Sequence, residues 1–375
     1  MYHIVLDQTS FYPEGGGQPS DTGYIEDLYI SHVYEEDHII YHVTNAKPEK
    51  LQHLKCSIDW DRRFDNMQQH LGQHILSACI DKLINAETVG FHLGVDYVTI
   101  DVTMESISQI QVDKVEYFAN QIVFNNLSVT QLYPNESVLK KIPLRKPPKV
   151  KENIRIIEIN QFDFSPCGGT HPTHTGEVGL IKIRKLEKIR DTTRVEFACG
   201  NRALKDYNWK NNSINQISSL LSLKDVDSLK GVEKIYTENI SLKKEIRKLK
   251  EENLNYEAGE LYRQTPEKRG IKIITKVFEN RDFGEVRLLA AKTVSNPGTM
   301  ALLGVKNEKA QIILSCSDEV TINMNELFKE ISPMINGKGG GNSKTAQGGG
   351  DDKGNLEGAL QAAHTIVEKR YLKLL

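Results

Sequence analysis

The stretch DRRFDNMQQHLGQHILSACIDKL, residues 61–83, reads as one amphipathic helix. Leu71, Ile75, Cys79 and Leu83 recur at four-residue intervals as an apolar stripe, flanked by His70 and His74. A spacing of four puts both imidazoles on one helix face. A second donor pair, Cys167 and His171, follows far along the chain in SPCGGTHPTH (165–174). Its glycines let the backbone turn a thiolate and an imidazole toward one point. One Cys with three His makes a tetrahedral zinc set, so helix and loop are expected to close around one Zn2+ per chain. Either pair alone would be a weak signal, and the bland alternative is a solvated His pair with an unrelated buried Cys. Four protein ligands also suit a closed structural ion. Catalysis would then need a loose ligand, a fifth position, or an ion that holds substrate while another group activates water.

Upstream of the helix, HIVLDQ (3–8), YIEDLYISHVYEE (24–36), HIIYHVT (38–44) and LKCSIDW (54–60) alternate apolar and polar residues between turn signals. They predict a small β-barrel over residues 1–59. Between the first two strands lies FYPEGGGQPSDTG (11–23), whose Gly15, Gly16 and Gly17 leave a backbone free to lie against a ligand. The loop lacks the Lys-Ser/Thr ending of a nucleotide-triphosphate loop, so ATP chemistry is not implied. Downstream, GFHLGVDYVTIDVT (90–103) reads as a turn and strands, and QIQVDKVEYFANQIVFNN (109–126) as a second amphipathic helix. IRIIEINQFDFSPCGGTH (154–171) reads as a strand entering the metal loop, and GLIKIRKLEKIRDTTRVEFACG (179–200) as two more strands. Helices on a mostly antiparallel sheet give an α+β core over residues 60–203.

From residue 204 to 264 the pattern is helical. Ile235, Leu242, Leu249 and Tyr256 recur every seven residues, with Val232, Asn239, Ile246 and Asn253 between them and charges alongside in KKEIRKLKEEN (243–253). This fits a coiled coil or a helical hairpin packed on its own chain. Residues 265–375 form a separate α/β unit with strands IKIITKV (271–277), TMALLGV (299–305) and AQIILSC (310–316), a glycine-rich loop NGKGGGNSKTAQGGGDDKG (336–354), and a last helix from Asn355 to Leu372.

Composition narrows the partners. A formal charge of -2 over 375 residues gives no global field toward nucleic acid or anionic membrane, so contacts must come from local patches. Two basic runs are candidates: Lys140, Lys141, Arg145, Lys146, Lys149 and Lys151, then Lys182, Arg184, Lys185, Lys188 and Arg190. In the second, cations alternate with Ile, which would make one strand face positive and suit an RNA backbone. Lys338, Lys344 and Lys353 among the C-terminal glycines suit phosphate contacts. Each could equally be a solvated lysine-rich surface or a flexible turn. Five scattered cysteines do not form a disulfide framework, and with no apolar leader or span the expectation is a cytoplasmic protein without membrane contact.

In their order, FYPEGGGQPSDTG, RFDNMQQHLGQHILSA, GFHLG, DYVTIDV, CGGTH, THTGEVG and TRVEFACG resemble the editing half of alanyl-tRNA synthetase, and more closely the free-standing alanyl-tRNA editing proteins of the AlaX type. The resemblance covers residues 1 to about 203. The helical stretch and GKGGGNSKTAQGGG resemble the DHHA1-type domain that ends the same synthetases. The resemblance implies a zinc-dependent hydrolase that deacylates tRNA(Ala) mischarged with Ser or Gly. Zinc would be held by His70, His74, Cys167 and His171. No stretch resembles the aminoacylation domain, so charging is not implied. Where the family has Val and Asn after the metal loop, this chain has Pro172 and His174.

A pocket built for alanine rejects glycine poorly, because one methyl is worth only ~1–3 kcal/mol, and admits serine, which merely adds a hydroxyl. A second site can instead give that hydroxyl a partner, with Thr9, Ser10 and Gln18 as candidates. Backbone N–H groups of Gly15, Gly16 and Gly17 would grip the terminal adenosine or the oxyanion. Arg184, Lys185, Arg190 and Arg194 would position the acceptor stem, with Lys338 and Lys344 more distant contacts and a homodimer through the helical stretch or the last domain. Two rivals stand beside this reading. One is a zinc-stabilised tRNA-binding module without catalysis. The other is a DHH-type phosphoesterase, which lacks its Asp-His-His run here.

Overall fold

The computed structural model describes residues 1–49, 52–148, 150 and 152–370. The chain forms two compact units, Met1–Ser228 and Leu229–Leu375. Among the described residues no helix is long and apolar enough to cross a membrane.

The first unit opens with β1 (Tyr2–Val5), β2 (Gly23–Ile25), β3 (Leu28–Ile30), β4 (His32–Glu36), β5 (Ile39–Thr44) and β6 (Cys56–Ile58). These do not close into the expected barrel. They form two antiparallel three-stranded sheets, in the orders β1-β5-β4 and β3-β2-β6, around the shared core of Ile4, Phe11, Ile25, Ile30 and Val33. The reason is local. β3 and β4 are joined through Ser31 alone, whose N–H turns to the Val43 carbonyl at 3.0 Å, so the chain changes sheets at a corner instead of continuing one ladder. The alternation in the sequence fixes inward and outward faces but not closure, which depends on strand length and stagger.

The long helix α1 (Trp60–Ile84) realises the expected span. The Asp59 side chain caps it by accepting from the Arg62 N–H, and Asn85 ends it in the left-handed conformation. Its middle is buried all round, with Leu71, Ile75, Leu76, Cys79 and Ile80 in the main core. β7 (Thr88–Leu93) and β8 (Val98–Val102) follow, then α2 (Gln109–Phe124), opened by a Ser108–Gln111 capping box. After β9 (Val129–Leu132), the single turn α3 (Glu136–Leu139), β10 (Ile156–Ile159) and β11 (Asp163–Pro166) come β12 (Ile181–Ile189), β13 (Thr192–Cys199) and α4 (Gly200–Leu221). One antiparallel sheet runs β12-β13-β8-β7 and another β11-β10-β9. Val98, Ile100, Val195 and Phe197 of the first sheet share a core with α1 and α2.

The second unit begins along α5 (Ser228–Gln264) and continues through β14 (Glu267–Lys268), β15 (Ile271–Glu279), α6 (Phe283–Thr293), β16 (Thr299–Lys306), β17 (Ala310–Cys316), α7 (Met324–Ile331), β18 (Lys338–Gly341), β19 (Thr345–Gly350) and α8 (Leu356–Arg370). The sheet order is β14-β15-β16-β17-β19-β18, with β15 and β16 parallel around the α6 crossover. α6 and Leu254 of α5 cover one face; α7 and α8 cover the other. The unit mixes helices and strands, and the glycine-rich segment is not a loop but two paired strands, β19 beside β17 and β18 at the sheet edge. The Phe328 ring fills the space a Cβ would need on both Gly339 and Gly348. The expected helical stretch 204–264 falls across the division between units, and Ile235, Leu242 and Leu249 along α5 are exposed. The expected end of the last helix at Leu372 lies outside the described residues.

Candidate metal centre

One turn of α1 separates His70 from His74, and both rings point into the protein. Facing them, the loop after β11 carries Cys167 and His171. One donor atom from each of the four residues lies within 4.8 Å of the other three. The Cys167 Sγ is 3.3 Å from His70 Nε2 and 3.7 Å from His171 Nε2. The loop is tied down from behind, because Arg155, just ahead of β10, donates to the Cys167 carbonyl at 3.0 Å and the Gly169 carbonyl at 2.6 Å. Glycine at 169 is required by this approach, since a Cβ there would overlap the His70 imidazole.

Gln18 supplies the second layer. Its side-chain oxygen accepts from the Thr170 backbone N–H at 3.0 Å and lies 2.8 Å from His70 Nδ1. An oxygen already accepting from an amide requires His70 to donate from Nδ1, which leaves the Nε2 lone pair facing Cys167. The Gln18 amide nitrogen completes the link by donating to Thr170 Oγ1 at 2.7 Å. Behind His74, the buried carboxylate of Asp163 sits 4.0 Å from Nδ1 and is held by Arg145 at 2.9 Å and Ser165 at 2.7 Å.

Burial sets the charge of the cluster. It lowers the pKa of His70 to about 4, with the Arg155 guanidinium adding to the effect. Burial, and after it the neighbouring imidazoles and arginine, push His74 and His171 well below the usual histidine range. The Cys167 thiol is raised by burial, opposed by the Gly169 N–H and by Arg155. Three neutral imidazoles therefore present lone pairs to one point. Among the described residues neither ring nitrogen of His74, nor His171 Nδ1, has a hydrogen-bond partner. Buried polar atoms are rarely left so, and a divalent ion would satisfy donors that the protein leaves unpaired. The residues present fit a metal.

The glycine turn stands beside this cluster. Gly15 and Gln18 exchange backbone bonds of 3.2 and 2.9 Å, and Gly16 and Gly17, at φ 60° and 85°, form the exposed tip. Two successive positive φ values are what a tight primed hairpin turn demands, and glycine meets them without strain. Phe91 packs under Gly17 and stacks on the His70 ring at 5.4 Å, so turn and cluster share one wall. The Tyr12 hydroxyl donates to the Gly15 carbonyl at 3.0 Å, and burial with the nearby Cys167 raises its pKa to about 12.

Of the candidates for the serine hydroxyl, Thr9 is engaged elsewhere. Its Oγ1 lies 2.8 Å from His42 Nε2 and accepts from the Phe11 N–H. The Ser10 carbonyl accepts from Arg63. His174 lies at the surface, with its ring 3.1 Å from Thr173 Oγ1 and Glu177 accepting from its N–H.

The basic candidates are mostly paired. Arg184 occupies a bulge in β12, with its guanidinium 3.4 Å from the Tyr97 ring centre and bonded to Glu196 and Asp206. Arg194 makes two bonds to Asp101, and Lys185 pairs with Glu187 at 3.6 Å. Lys182 and Lys188 reach Glu116 and Glu105. Arg190 is exposed in the β12–β13 turn. Arg145 and Lys140 bind Asp163 and Glu136, while Lys149 and Lys151 lie outside the described residues. In the second unit Lys338 and Lys353 are exposed, whereas Lys344 donates to the carbonyls of Ser317, Asp318 and Val320.

Sequence reasoning missed Arg155, Asp163, Tyr12 and Phe91 as supports of the cluster. It also missed a polar chain in which Gln73 and Thr88 both donate to Ser77 at 2.7 Å, one turn from His74. Asp163 stands four residues and Arg155 twelve residues before Cys167, and that proximity was the available signal.

Comparison with known proteins matches this architecture piece by piece. Residues 154–195 match the threonyl and alanyl tRNA synthetase second additional domain, residues 1–62 the class II (A) tRNA synthetases, and residues 270–369 the DHHA1 domain. The alanyl-tRNA editing protein AlaX-L of Pyrococcus horikoshii is 34% identical over 92% of this chain and 87% of its own length. The chain belongs to the alanyl-tRNA editing protein family. Alanine–tRNA ligases of Pyrococcus abyssi and Haloquadratum walsbyi are 30% and 31% identical, over 96% and 99% of this chain but only 40% and 41% of theirs. The chain thus spans about two fifths of those ligases. The C-Ala domain of Aquifex aeolicus alanyl-tRNA synthetase aligns with 28% of the chain at 22% identity and a TM-score of 0.26, too weak a likeness to bear on the fold.

Proposed function

We propose that this protein is a zinc-dependent trans-editing hydrolase that deacylates tRNA(Ala) mischarged with serine, and with glycine as a second substrate, without charging tRNA itself. The observation that carries the reading is the convergence of His70, His74, Cys167 and His171 beside the exposed glycine turn. Family membership supports tRNA(Ala) as the partner.

When bound, zinc supplies a Lewis acid that holds the amino group of the aminoacyl ester or polarises an oxygen. The chain's own residues do the rest. Gln18 and Arg155 fix the donor geometry. Gly16 and Gly17 offer backbone N–H groups at the tip of the turn to the terminal adenosine or to the oxygen on which charge develops. Phe91 keeps one side of the cleft apolar and excludes water. Lys338 and Arg190, both exposed, remain basic candidates for phosphate contacts, and the exposed Ile235, Leu242 and Leu249 of α5 support a homodimer through that helix.

The deciding experiment measures deacylation of Ser-tRNA(Ala) together with zinc content. About one zinc per chain and loss of hydrolysis on chelation are expected; a metal-free, fully active protein would sink the zinc reading. The closed set of four protein donors also suits a structural ion in a tRNA-binding module. Folded, zinc-loaded protein that binds tRNA(Ala) yet hydrolyses no aminoacyl ester would establish that second reading.

A further inference from the structure

The sheet β1-β5-β4 turns Ile4 and Val33 into the core, and its other face is where polar residues are ordinarily found. That outer face is instead aromatic at its centre, with the exposed Glu36 on the same side at one end of β4. Cross-strand register places Tyr34 opposite Tyr41, with Val5 on the far side of Tyr41, and brings His3 and His32 to either side of Val43. Three rings form a column. His32 stacks on Tyr34 at 6.0 Å and 18°, and Tyr34 on Tyr41 at 5.1 Å and 16°. His3 meets both tyrosines edge-on, and its Nδ1 lies 2.8 Å from the Tyr34 hydroxyl, which fixes the column before anything binds. None of these four residues is fully buried, and no lysine or arginine occurs in the three strands.

The column leads to the proposed cleft. His32 Nδ1 is 3.1 Å from Ser20 Oγ, and the carbonyl of its neighbour Val33 accepts from the N–H of Glu14, the residue before Gly15. The strand that carries His32 and Tyr34 is therefore tied directly to the segment of the glycine turn. A rigid stack of parallel rings without cations suits flat, unpaired bases, because every base has a π face and stacking needs no counter-charge.

We propose that the outer face of β1-β5-β4 is a stacking platform for the unpaired nucleotides that precede the terminal adenosine of the RNA. The platform rests on the editing reading, which brings an aminoacylated 3′ end to the turn. It makes the single-stranded end, and not the helical stem, the part held closest to the metal cluster, and it binds with little dependence on salt.

The test uses two fluorescein-labelled RNA hairpins with the same stem, one blunt and one ending in unpaired ACCA, measured by anisotropy with the full-length protein. For the wild type the overhang should add on the order of tenfold or more in affinity, an increment that changes little between low and moderate salt. Tyr34→Ala and Tyr41→Ala should each remove most of that increment, while Tyr34→Phe, which keeps the ring, should retain it. Alanine variants that bind the overhang hairpin as tightly as wild type, or that lose affinity for both hairpins equally, overturn the platform. In hydrolysis, Tyr34→Ala should raise KM for Ser-tRNA(Ala) about tenfold at unchanged kcat and leave seryl-adenosine, which lacks the preceding nucleotides, unaffected. A wild type that hydrolyses neither ester defeats the editing reading alone, and the overhang comparison still decides the platform.

Discussion

The donor cluster and the basic strand β12 were both conspicuous in the sequence, and the structure treats them in opposite ways. Around His70, His74, Cys167 and His171 the protein withholds partners: buried ring nitrogens of His74 and His171 stay unpaired. Along β12 it supplies them: Lys182, Arg184, Lys185 and Lys188 each meet a carboxylate. A group kept in reserve points to a ligand from outside, whereas a group already satisfied inside the fold is architecture. The contrast predicts where substitutions will remove function and where they will only loosen the protein.

The largest effect belongs to Cys167→Ala. Removing one of four donors should lower zinc content to well below one per chain and reduce Ser-tRNA(Ala) deacylation by roughly a hundredfold or more, beyond the 10–100-fold of an outer-shell change. Metal analysis and the deacylation assay, run on the same preparation, check it. Retained zinc with unchanged activity would place the cluster among the structural features of the fold.

Next in size are the outer supports. Gln18→Leu frees His70 Nδ1 and should weaken zinc binding about 10- to 100-fold while the protein remains folded, measured by competition with a chelating dye. Gly169→Ala should match or exceed that loss, because its methyl must displace the His70 ring. Normal affinity in both variants would mean that the turn at Gln18 merely neighbours the cluster.

Arg184→Ala tests the other side of the contrast. Its guanidinium is largely buried between Glu196, Asp206 and Tyr97. Losing it takes the cation from Glu196, while Asp206 keeps Lys210 and Trp209, and should cost about 1.5–3 kcal/mol of stability, seen as a lower melting temperature. The salt dependence of tRNA binding should not change. An unaltered melting curve, with a salt slope reduced by about one, would instead make Arg184 a phosphate ligand.

How much of this was legible follows from where each partner lies in the sequence. The helix over 61–83 and the pair at Cys167 and His171 declare themselves by local spacing, and the structure moved the helix ends by one residue at either side. The strands expected at 271–277, 299–305 and 310–316 were likewise visible as short stretches rich in apolar and β-branched residues, and the structure extends the first two to 279 and 306. β18 and β19 were not, because Gly339 and Gly348 carry no side chain to alternate; they face each other across the ladder so closely that a Cβ on either would meet the opposite backbone. The two-sheet form of residues 1–59 was hidden because a corner at Ser31 has no compositional mark. The charge of β12 misled for the same reason in reverse. Lys182 reaches back to Glu116 and Arg184 forward to Asp206, and neither acid is adjacent in sequence.

The smallest effect probes the pairing of Arg194 with Asp101. The side-chain hydrogen bond from Arg194, acting against partial burial, holds the Asp101 carboxyl below its ordinary range of about 4. A depressed folded value means that the unfolded chain takes up the proton first as pH falls. Between pH ~4 and the lower folded value the unfolded state therefore binds more protons, and stability declines as pH is lowered through that window. Above pH ~4 the contribution is fully present. Both side chains are partly exposed, so the whole term should stay below about 1 kcal/mol and shrink in salt. Arg194→Gln should flatten this acid limb of the melting temperature slightly while leaving the curve near pH 7 within a degree or two. Should the variant instead lose tRNA affinity with its acid stability intact, the Asp101 contact is a resting place for a cation that serves RNA, and Arg194 moves to the side of the donors held in reserve.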